Sequence, residues 1–531
     1  MPSYVNKSNR TASVGAAFFL YAALIVVIQA VRDRSFWLDE ATLMENLMAR
    51  SPHGILFGGA LSGTQQFPKI YLALIDGVVR TMGFTTFAAR LLPLGFGLAA
   101  FAVWLWLFYE RYARPETQWF PFVVSCGLLV VSCYPLAYAY EFKQYSAELF
   151  FGGAMLALYQ TKMFSPNKRL VLLSVVGAAS LLFGYSTILV STVVCGIAVL
   201  ELTFWTQGAG NRKIAIIGFL VMTVLFLFLW RIDYQFGFQG GNGAVLHDYW
   251  TPQFAVGNTF VAKLKSLEKL YWHFLFDWWR TEWGNMCESL AAPGAWYLWP
   301  WRTFRNPDIK NTLYVLVACV LARNAWRWVS LIRRRDVLGP SLVILAAMPV
   351  LAWMHLYPWG QSRLTLYGMP LVILLMVEAL AFACAVLGKF RVKPVWQGLI
   401  WVPFLWAILR SGVFMAGGFA FARLGEDLNP AIRRITPAES PFLAVGASAD
   451  QVLRTYHRLP DGFRLFYDMQ TSPDEMQTVV NRRPLYYIWA HNPPPRNALG
   501  VPAGDERYYH RVETLYSGDA VYGPELLLLK S

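Results

Sequence analysis

Charged residues are scarce in this chain. Asp, Glu, Lys and Arg fill 15% of its 531 positions, where an ordinary soluble protein carries roughly 25%. The shortage excludes a water-exposed globule over most of the length. Cysteine is sparse as well. Cys126, Cys133, Cys195, Cys319 and Cys384 fall inside apolar stretches, and Cys287 stands alone in a loop. Neither a disulfide framework nor a Cys–His zinc spacing is present. The seven histidines form no spacing motif. Internal repeats and low-complexity segments are lacking too, which argues against a solenoid or a disordered array.

Apolar sequence fills the space instead, at 56% of the chain, with 16% aromatic. Uncharged runs long enough to cross a bilayer, about 20 residues each, recur from Val14 to Gly418. Beyond Gly418 the composition returns to that of a soluble domain. The net charge of +14 fits basic loops on the cytoplasmic side of a membrane better than a nucleic-acid surface. Lys7 and Arg10 precede the first run, Val14 to Val31, and no small-residue cleavage site follows it. It reads as an uncleaved span with its N-terminus in the cytoplasm.

The expected spans are 14–31, 91–108, 121–140, 145–161, 170–185, 187–205, 214–231, 311–329, 338–355, 364–386 and 396–417. One further stretch, Lys69 to Met82, is apolar but short and holds Lys69, Asp76 and Arg80. Tyr71, Leu74, Ile75 and Val78 recur there at helical spacing, as in a helix lying at the interface. Charge decides against a crossing. With eleven spans, 17 Lys and Arg fall in the cytoplasmic segments, while the short outer turns 141–144 and 356–363 hold only Lys143 and Arg363. A twelfth span would invert that bias.

Three regions then lie outside. Residues 32–90 carry Trp37-Leu38-Asp39-Glu40, and 232–310 hold eight tryptophans, a density suited to the headgroup layer. The third, beginning at about Arg423, is expected to be a small α/β domain. Strands are expected at Phe442 to Ala447 and Pro484 to Ala490, with a helix from Ala449 to Arg458. A hairpin pairs Arg507 to Tyr516 with Ala520 to Lys530. The fold class is therefore an α-helical polytopic membrane protein of about eleven transmembrane helices with outer juxtamembrane helices, plus a small C-terminal α/β domain. The division is 1–420 and 421–531.

Chemistry has three candidate places. Asp39-Glu40 follow the first span closely, in an aromatic setting. A carboxylate at a desolvated edge can serve as a general base or hold a divalent cation. The plainer reading is that Asp39 caps a helix from Ala41 to Ala49. Second is the outer turn Glu141-Phe-Lys143-Gln144-Tyr145-Ser-Ala-Glu148, where costly acidic groups face a cavity or a partner. A Lys143 pair with Glu141 or Glu148 would be the inert alternative. Third is Tyr357-Pro-Trp-Gly-Gln-Ser-Arg363. Its arginine is out of place for topology and suits a bidentate phosphate grip, the alternative being snorkelling to a headgroup. Arg410, in the outer half of its span, could assist. Glu378, in the cytoplasmic half of its own, reads as structural.

These pieces, in this order, resemble the GT-C membrane glycosyltransferases, nearest the protein O-mannosyltransferase and lipid A aminoarabinose transferase group (glycosyltransferase family 39-like). The matching residues are Trp37-Leu38-Asp39-Glu40-Ala41, Gln66-Phe67-Pro68-Lys69-Ile70-Tyr71, Arg90-Leu91-Leu92-Pro93, Glu141 to Ser146, and Tyr357 to Arg363 followed by Leu366-Tyr-Gly-Met-Pro370. The match runs from about residue 14 to 420. The resemblance implies a polyprenyl-phosphate sugar donor, a lipid, glycan or protein acceptor, and inversion at the anomeric carbon. It implies Asp39 as the catalytic carboxylate with Glu40 in support. Arg363, Lys143, Lys69 and Arg410 are then the donor-phosphate candidates, and Glu141, Tyr145, Glu148 and Gln66 the acceptor- or metal-supporting ones. The pattern departs from the family in having one proline, Pro68, where two are frequent, and in spacing Glu141 and Glu148 widely. A divalent cation is compatible with the sequence without being required. The expected location is a bacterial inner (plasma) membrane, with the site facing the periplasm or exterior. Nucleic acid is not an expected partner. A transporter or flippase of lipid-linked sugars, and an envelope-glycan ligase or polymerase, are the alternatives; a transporter would place its polar site near mid-bilayer.

Overall fold

A computed structural model describes residues 2–32, 35–36, 38–62, 66–113, 119–204, 251–276, 318–358, 362–391 and 428–436, with shorter pieces between 213 and 228 and between 393 and 413, and the five strands and scattered residues after 440. The chain divides into two compact units. The first holds Met1–Gln29, Phe67–Tyr71 and Leu91–Ala420, and the second holds Ala30–Gln66, Leu72–Arg90 and Phe421–Ser531.

Described in order, the helices are α1 (Pro2–Val31), α2 (Leu38–Ala49), α3 (Pro52–Phe57), α4 (Lys69–Met82), α5 (Thr86–Phe108), α6 (Trp119–Val130), α7 (Cys133–Tyr138), α8 (Tyr145–Gln160), α9 (Pro166–Leu181) and α10 (Thr187–Phe204). They continue with α11 (Phe260–Phe276), α12 (Trp328–Arg333), α13 (Leu338–Trp353), α14 (Met369–Lys389) and α15 (Asn429–Ile432). Helical backbone is also present at 318–326. Among the described residues, four helices are long and apolar enough to cross a membrane: Ala12–Val31, Thr86–Tyr112, Thr187–Phe204 and Thr365–Lys389. Trp119–Val130 and Leu338–Trp353 are shorter apolar helices. Leu20 and Leu24 of α1, Val171 and Val175 of α9, and Leu200 and Phe204 of α10 are exposed. So much exposed aliphatic surface is stable only against lipid. The chain is an integral membrane protein, mostly helical.

The expected span 121–140 is not one helix. α6 stops at Val130 and α7 begins at Cys133. Pro135 has no N–H to give the carbonyl of Val131, and its ring crowds that carbonyl, so the helix breaks there. Ser132 Oγ bridges the break by donating to the Leu128 carbonyl at 2.5 Å.

Packing in the first unit rests on close approach and aromatic contact. Gly97 of α5 lies against the Ala139 carbonyl, 2.2 Å from where a Cβ would stand, so only glycine fits. Trp104 of α5 donates its indole N–H to the Leu149 carbonyl of α8 at 3.0 Å, over Gly153. Tyr71, Phe96, Phe151 and Phe183 form a ring cluster with centroids 5.2–5.7 Å apart, which seats the start of α4.

At the end of these helices expected to be cytoplasmic, charges are paired, Glu378 among them. Arg111, in a single π-helical turn after α5, bonds Glu378 of α14 at 2.7 Å and also Asp336. The Tyr112 hydroxyl reaches Glu378 as well. Arg169 of α9 and Arg335 both bond Glu201 of α10, at 2.6 and 2.9 Å. Arg335 adopts the left-handed conformation (φ 57°), and the N–H groups of Arg335 and Asp336 cap the carbonyls of Ile332 and Leu331. One turn thus points neighbouring side chains at two ion-pair groups.

In the second unit, β1 (Phe442–Val445), β2 (Arg464–Tyr467), β3 (Leu485–Trp489), β4 (Arg511–Ser517) and β5 (Glu525–Lys530) form one sheet in the order β2-β1-β3-β5-β4. β1 pairs in parallel with β2 and β3, while β5 is antiparallel to β3 and β4. The strands expected near 442, 484, 507 and 520 are present with shorter bounds. β2, in the mixed run Arg464-Leu-Phe-Tyr467, was not expected. The expected helix from Ala449 to Arg458 lies almost wholly outside the described residues.

Candidate active site

α2 starts at Leu38, so Asp39 and Glu40 both lie in its first turn. The expectation that Asp39 caps a helix beginning at Ala41 is corrected: Asp39 is inside the helix, where its charge still favours the N-terminal dipole. The two carboxylates sit in different surroundings. Glu40 is fully buried and is gripped bidentately by Arg90, with Nε to Oε1 at 3.0 Å and Nη2 to Oε2 at 2.5 Å. Arg90 also donates to the Ser35 carbonyl at 3.2 Å and lies over the Phe36 ring. Asp39 remains partly accessible. Arg90 had no assigned role in the sequence reading. A charge heading an apolar helix was the available signal, since such a group needs a partner.

The helix expected from 69 to 82 is present as α4, with the same bounds. Tyr71, Leu72, Ile75 and Val79 are buried, whereas Leu74 is exposed. Asp76 is buried as well and accepts a hydrogen bond from Arg80 at 2.7 Å. Arg80 in turn bonds the carbonyls of Leu47 and Arg50, at 3.0 and 2.6 Å, at the end of α2. The charges that argued against a span therefore fasten α4 to α2.

In the first unit, the turn after α7 is densely polar yet buried. Glu141, Lys143, Gln144, Ser146 and Glu148 are all buried, in a chain poor in charge. Tyr145 is buried too, its ring 5.1 Å from that of Tyr138. Glu148 takes a bond from the Ser186 N–H at 3.3 Å, at the turn between α9 and α10. Tyr357 lies within electrostatic reach of Glu148, and burial followed by that carboxylate holds its hydroxyl well above the usual range, so it stays protonated. Three turns expected on one side of the membrane (141–144, the 186 turn and 356–363) thus contribute to one cluster.

Of the phosphate candidates, Lys69 and Lys143 are buried, at 2% and 3% exposure. The side chains of Arg363 and Arg410 lie outside the described residues, although the backbone of Arg363 belongs to a 3-10 turn, Ser362–Gly368. Gln66 is half-buried. Glu378 is paired with Arg111. Among the described residues, no group of three or more His, Cys, Asp or Glu could hold a metal ion.

No family model matches the chain, and no curated protein matches it. Among solved structures, the chain is similar to ArnT from Cupriavidus metallidurans, at 14% identity over 98% of each chain with a TM-score of 0.48. That protein is also known bound to undecaprenyl phosphate, and this form matches at 12% identity and a TM-score of 0.48. The Archaeoglobus fulgidus oligosaccharyltransferase is similar at 13% identity, over 86% of this chain and 65% of its own, with a TM-score of 0.44. The mycobacterial arabinofuranosyltransferase AftD follows at 13% identity, over 98% of this chain and 40% of its own, with a TM-score of 0.38. These neighbours are GT-C membrane glycosyltransferases, the group that the sequence motifs resemble.

Proposed function

We propose that the protein is a membrane glycosyltransferase that moves a sugar from a polyprenyl-phosphate donor to an acceptor on the outer face, with Asp39 as general base. The observation that carries this reading is the division of labour in the first turn of α2. Glu40 is neutralised by Arg90, and Asp39 is the accessible carboxylate of the two. Like charges side by side disfavour double ionisation. Pairing one of them lets the other keep a negative charge and accept a proton.

In the proposed reaction, an acceptor hydroxyl or amine attacks the anomeric carbon while Asp39 takes its proton. The bond from that carbon to the phosphate oxygen breaks, and its electron pair leaves on the lipid phosphate. Arg363, with Lys143, Lys69 and Arg410 as further candidates, offsets the charge that develops there. Attack opposite the leaving group inverts the anomeric centre. The eleven-span topology, the division at residue 420 and the placing of the 421–531 region outside are part of the same proposal. Undecaprenyl phosphate is bound in one similar structure, ArnT, and dolichol phosphate in another, an archaeal oligosaccharyltransferase.

Asp39→Asn tests the reading. Asn keeps the size and removes the basicity, and losing a general base costs about 10²–10⁴ in rate. The variant should insert normally, bind donor and lose nearly all transfer. Parental transfer by Asp39→Asn, measured with a purified lipid-phosphate monosaccharide, would sink the proposal. Donor flipping without transfer by the parent protein would point to a transporter.

A further inference from the structure

Helix α11 is fastened to one end of α13. His355, at φ 55°, ends α13 in the left-handed conformation, and its ring stacks on Phe254 with centroids 5.0 Å apart. Its Nε2 donates to the Ala255 carbonyl at 3.2 Å, while the Ala255 N–H donates to the Ala352 carbonyl at 3.2 Å. Gly257, at φ 143°, then turns the chain sharply, and a Cβ there would stand 2.7 Å from that of Ala262. Thr259 caps α11, its Oγ1 accepting the Ala262 N–H at 3.1 Å. Ser266 of α11 closes the loop, donating to the Phe254 carbonyl at 3.4 Å and accepting the Val256 N–H at 3.1 Å. Phe260 meets Trp353 of α13 edge-on at 5.4 Å, and the Lys263 ammonium lies 5.5 Å from the centre of the same ring.

α13 has 16 residues, about 24 Å of helix, so as one of the spans proposed above it ends near each bilayer surface. One end adjoins the arginines at 333–335, and α11 sits at the other. Val350, Met354 and Leu356 are exposed at that end, as are Phe260, Val261 and Leu264 of α11. Around the helix this apolar strip gives way to Lys265 and Lys269, both exposed and one turn apart. Two ammonium groups at that spacing repel each other. Glu268 is exposed beside them, but Lys263, Lys265 and Lys269 outnumber it. We infer that α11 is a bilayer-surface anchor selective for anionic lipid. Phe260, Val261 and Leu264 enter the acyl boundary, and Lys265 and Lys269 take the headgroup phosphates of acidic phospholipids. An anionic surface offsets the repulsion between the two lysines, which zwitterionic lipid does not. The seat on α13 fixes the helix at the depth where both contacts form.

The test is amide hydrogen exchange of the full-length protein in nanodiscs holding one copy each. Exchange within a helix requires local opening, which loss of the lipid contact makes easier. Discs with equal parts phosphatidylglycerol and phosphatidylcholine should slow exchange at 261–270 about tenfold relative to pure phosphatidylcholine, the scale of one or two basic side chains meeting an anionic surface. High salt should erase most of that difference. Lys265→Gln combined with Lys269→Gln should abolish it and leave exchange in phosphatidylcholine unchanged, whereas Glu268→Gln should enlarge it. Phe260→Ser should speed exchange in both lipids. Equal exchange in the two lipids by the parent, or a lipid difference that survives in the double lysine variant, would overturn the inference. Equal slowing by inorganic phosphate in phosphatidylcholine discs would assign the lysines to a free anion and overturn it too. So would slowing confined to discs with two copies, which would assign the face to a second copy of the chain. Rapid exchange of the α13 amides in every disc would overturn the span itself, and the anchor with it.

Discussion

Adjacent carboxylates differ in role only when their surroundings differ, and at Asp39 and Glu40 they do. The Glu40–Arg90 pair is wholly buried. Removing one partner strands the other charge, which costs about 3–5 kcal/mol. Arg90→Ala should therefore lower thermal stability markedly, as read by the fraction remaining monodisperse after heating. Glu40→Leu combined with Arg90→Leu should recover part of that loss, since an apolar pair leaves no buried charge. Equal losses in the single and double variants would show that the ion pair is not the reason these residues are needed. Transfer stays impaired in the double variant if Glu40 also tunes Asp39. The pair was half legible in the sequence. Both residues stood in recognisable motifs, but 50 positions separate them, and no local rule joins them.

At the scale of elements, the turn after α12 governs how one end of the bundle closes. Burial alone would raise the Asp336 carboxyl, but Arg111 beside it more than compensates and holds it below its usual value of 3.8. A depressed carboxyl stabilises the fold above its unfolded pKa, and that stability is lost as pH falls through the folded value. The melting temperature of the parent should thus drop on acidification below about pH 4, in the range of an unperturbed Asp. Asp336→Asn should lower stability at pH 7 by about 1.5–3 kcal/mol, the scale of a hydrogen bond to a charged group. It should also flatten the acid part of the curve. A variant with the parental acid profile would show that this contact carries none of the pH dependence. The break between α6 and α7 belongs to the same scale. Hydropathy sees one apolar run from 121 to 140, because a proline's missing donor leaves mean hydropathy unchanged.

For the whole molecule, two expectations can be checked together. The span scheme places Glu116 and Arg334 in the cytoplasm. Single cysteines introduced there should resist an impermeant maleimide in intact cells and react once the membrane is opened; labelling of either in intact cells would overturn the eleven-span scheme. The second concerns cooperativity. The unit that contains Phe421–Ser531 also contains Ala30–Gln66 and Leu72–Arg90, and the Leu428 N–H bonds Ser35 Oγ at 3.0 Å. Truncation after Gly425 should therefore loosen the α2–α4 region and speed tryptic cleavage at Arg50 and Arg80 severalfold. Unchanged cleavage would mean that this region is stable without the sheet.

The sequence by itself determined the membrane character, the helical start of most apolar runs, the amphipathic helix α4 and four of the five strands. These follow from composition and short-range periodicity, which every window of the chain displays. It also singled out Asp39, Glu40, Glu148 and Arg363 as charges in unusual places. Tertiary structure alone decided what each charge faces: Arg90 for Glu40, Ser186 for Glu148, and Arg111 for the otherwise unexplained Glu378. It also added β2 beside β1. The reason is physical. A buried charge is satisfied by whichever group the fold brings within about 3 Å, and that choice is made by helices packing side by side, across separations that sequence spacing does not encode.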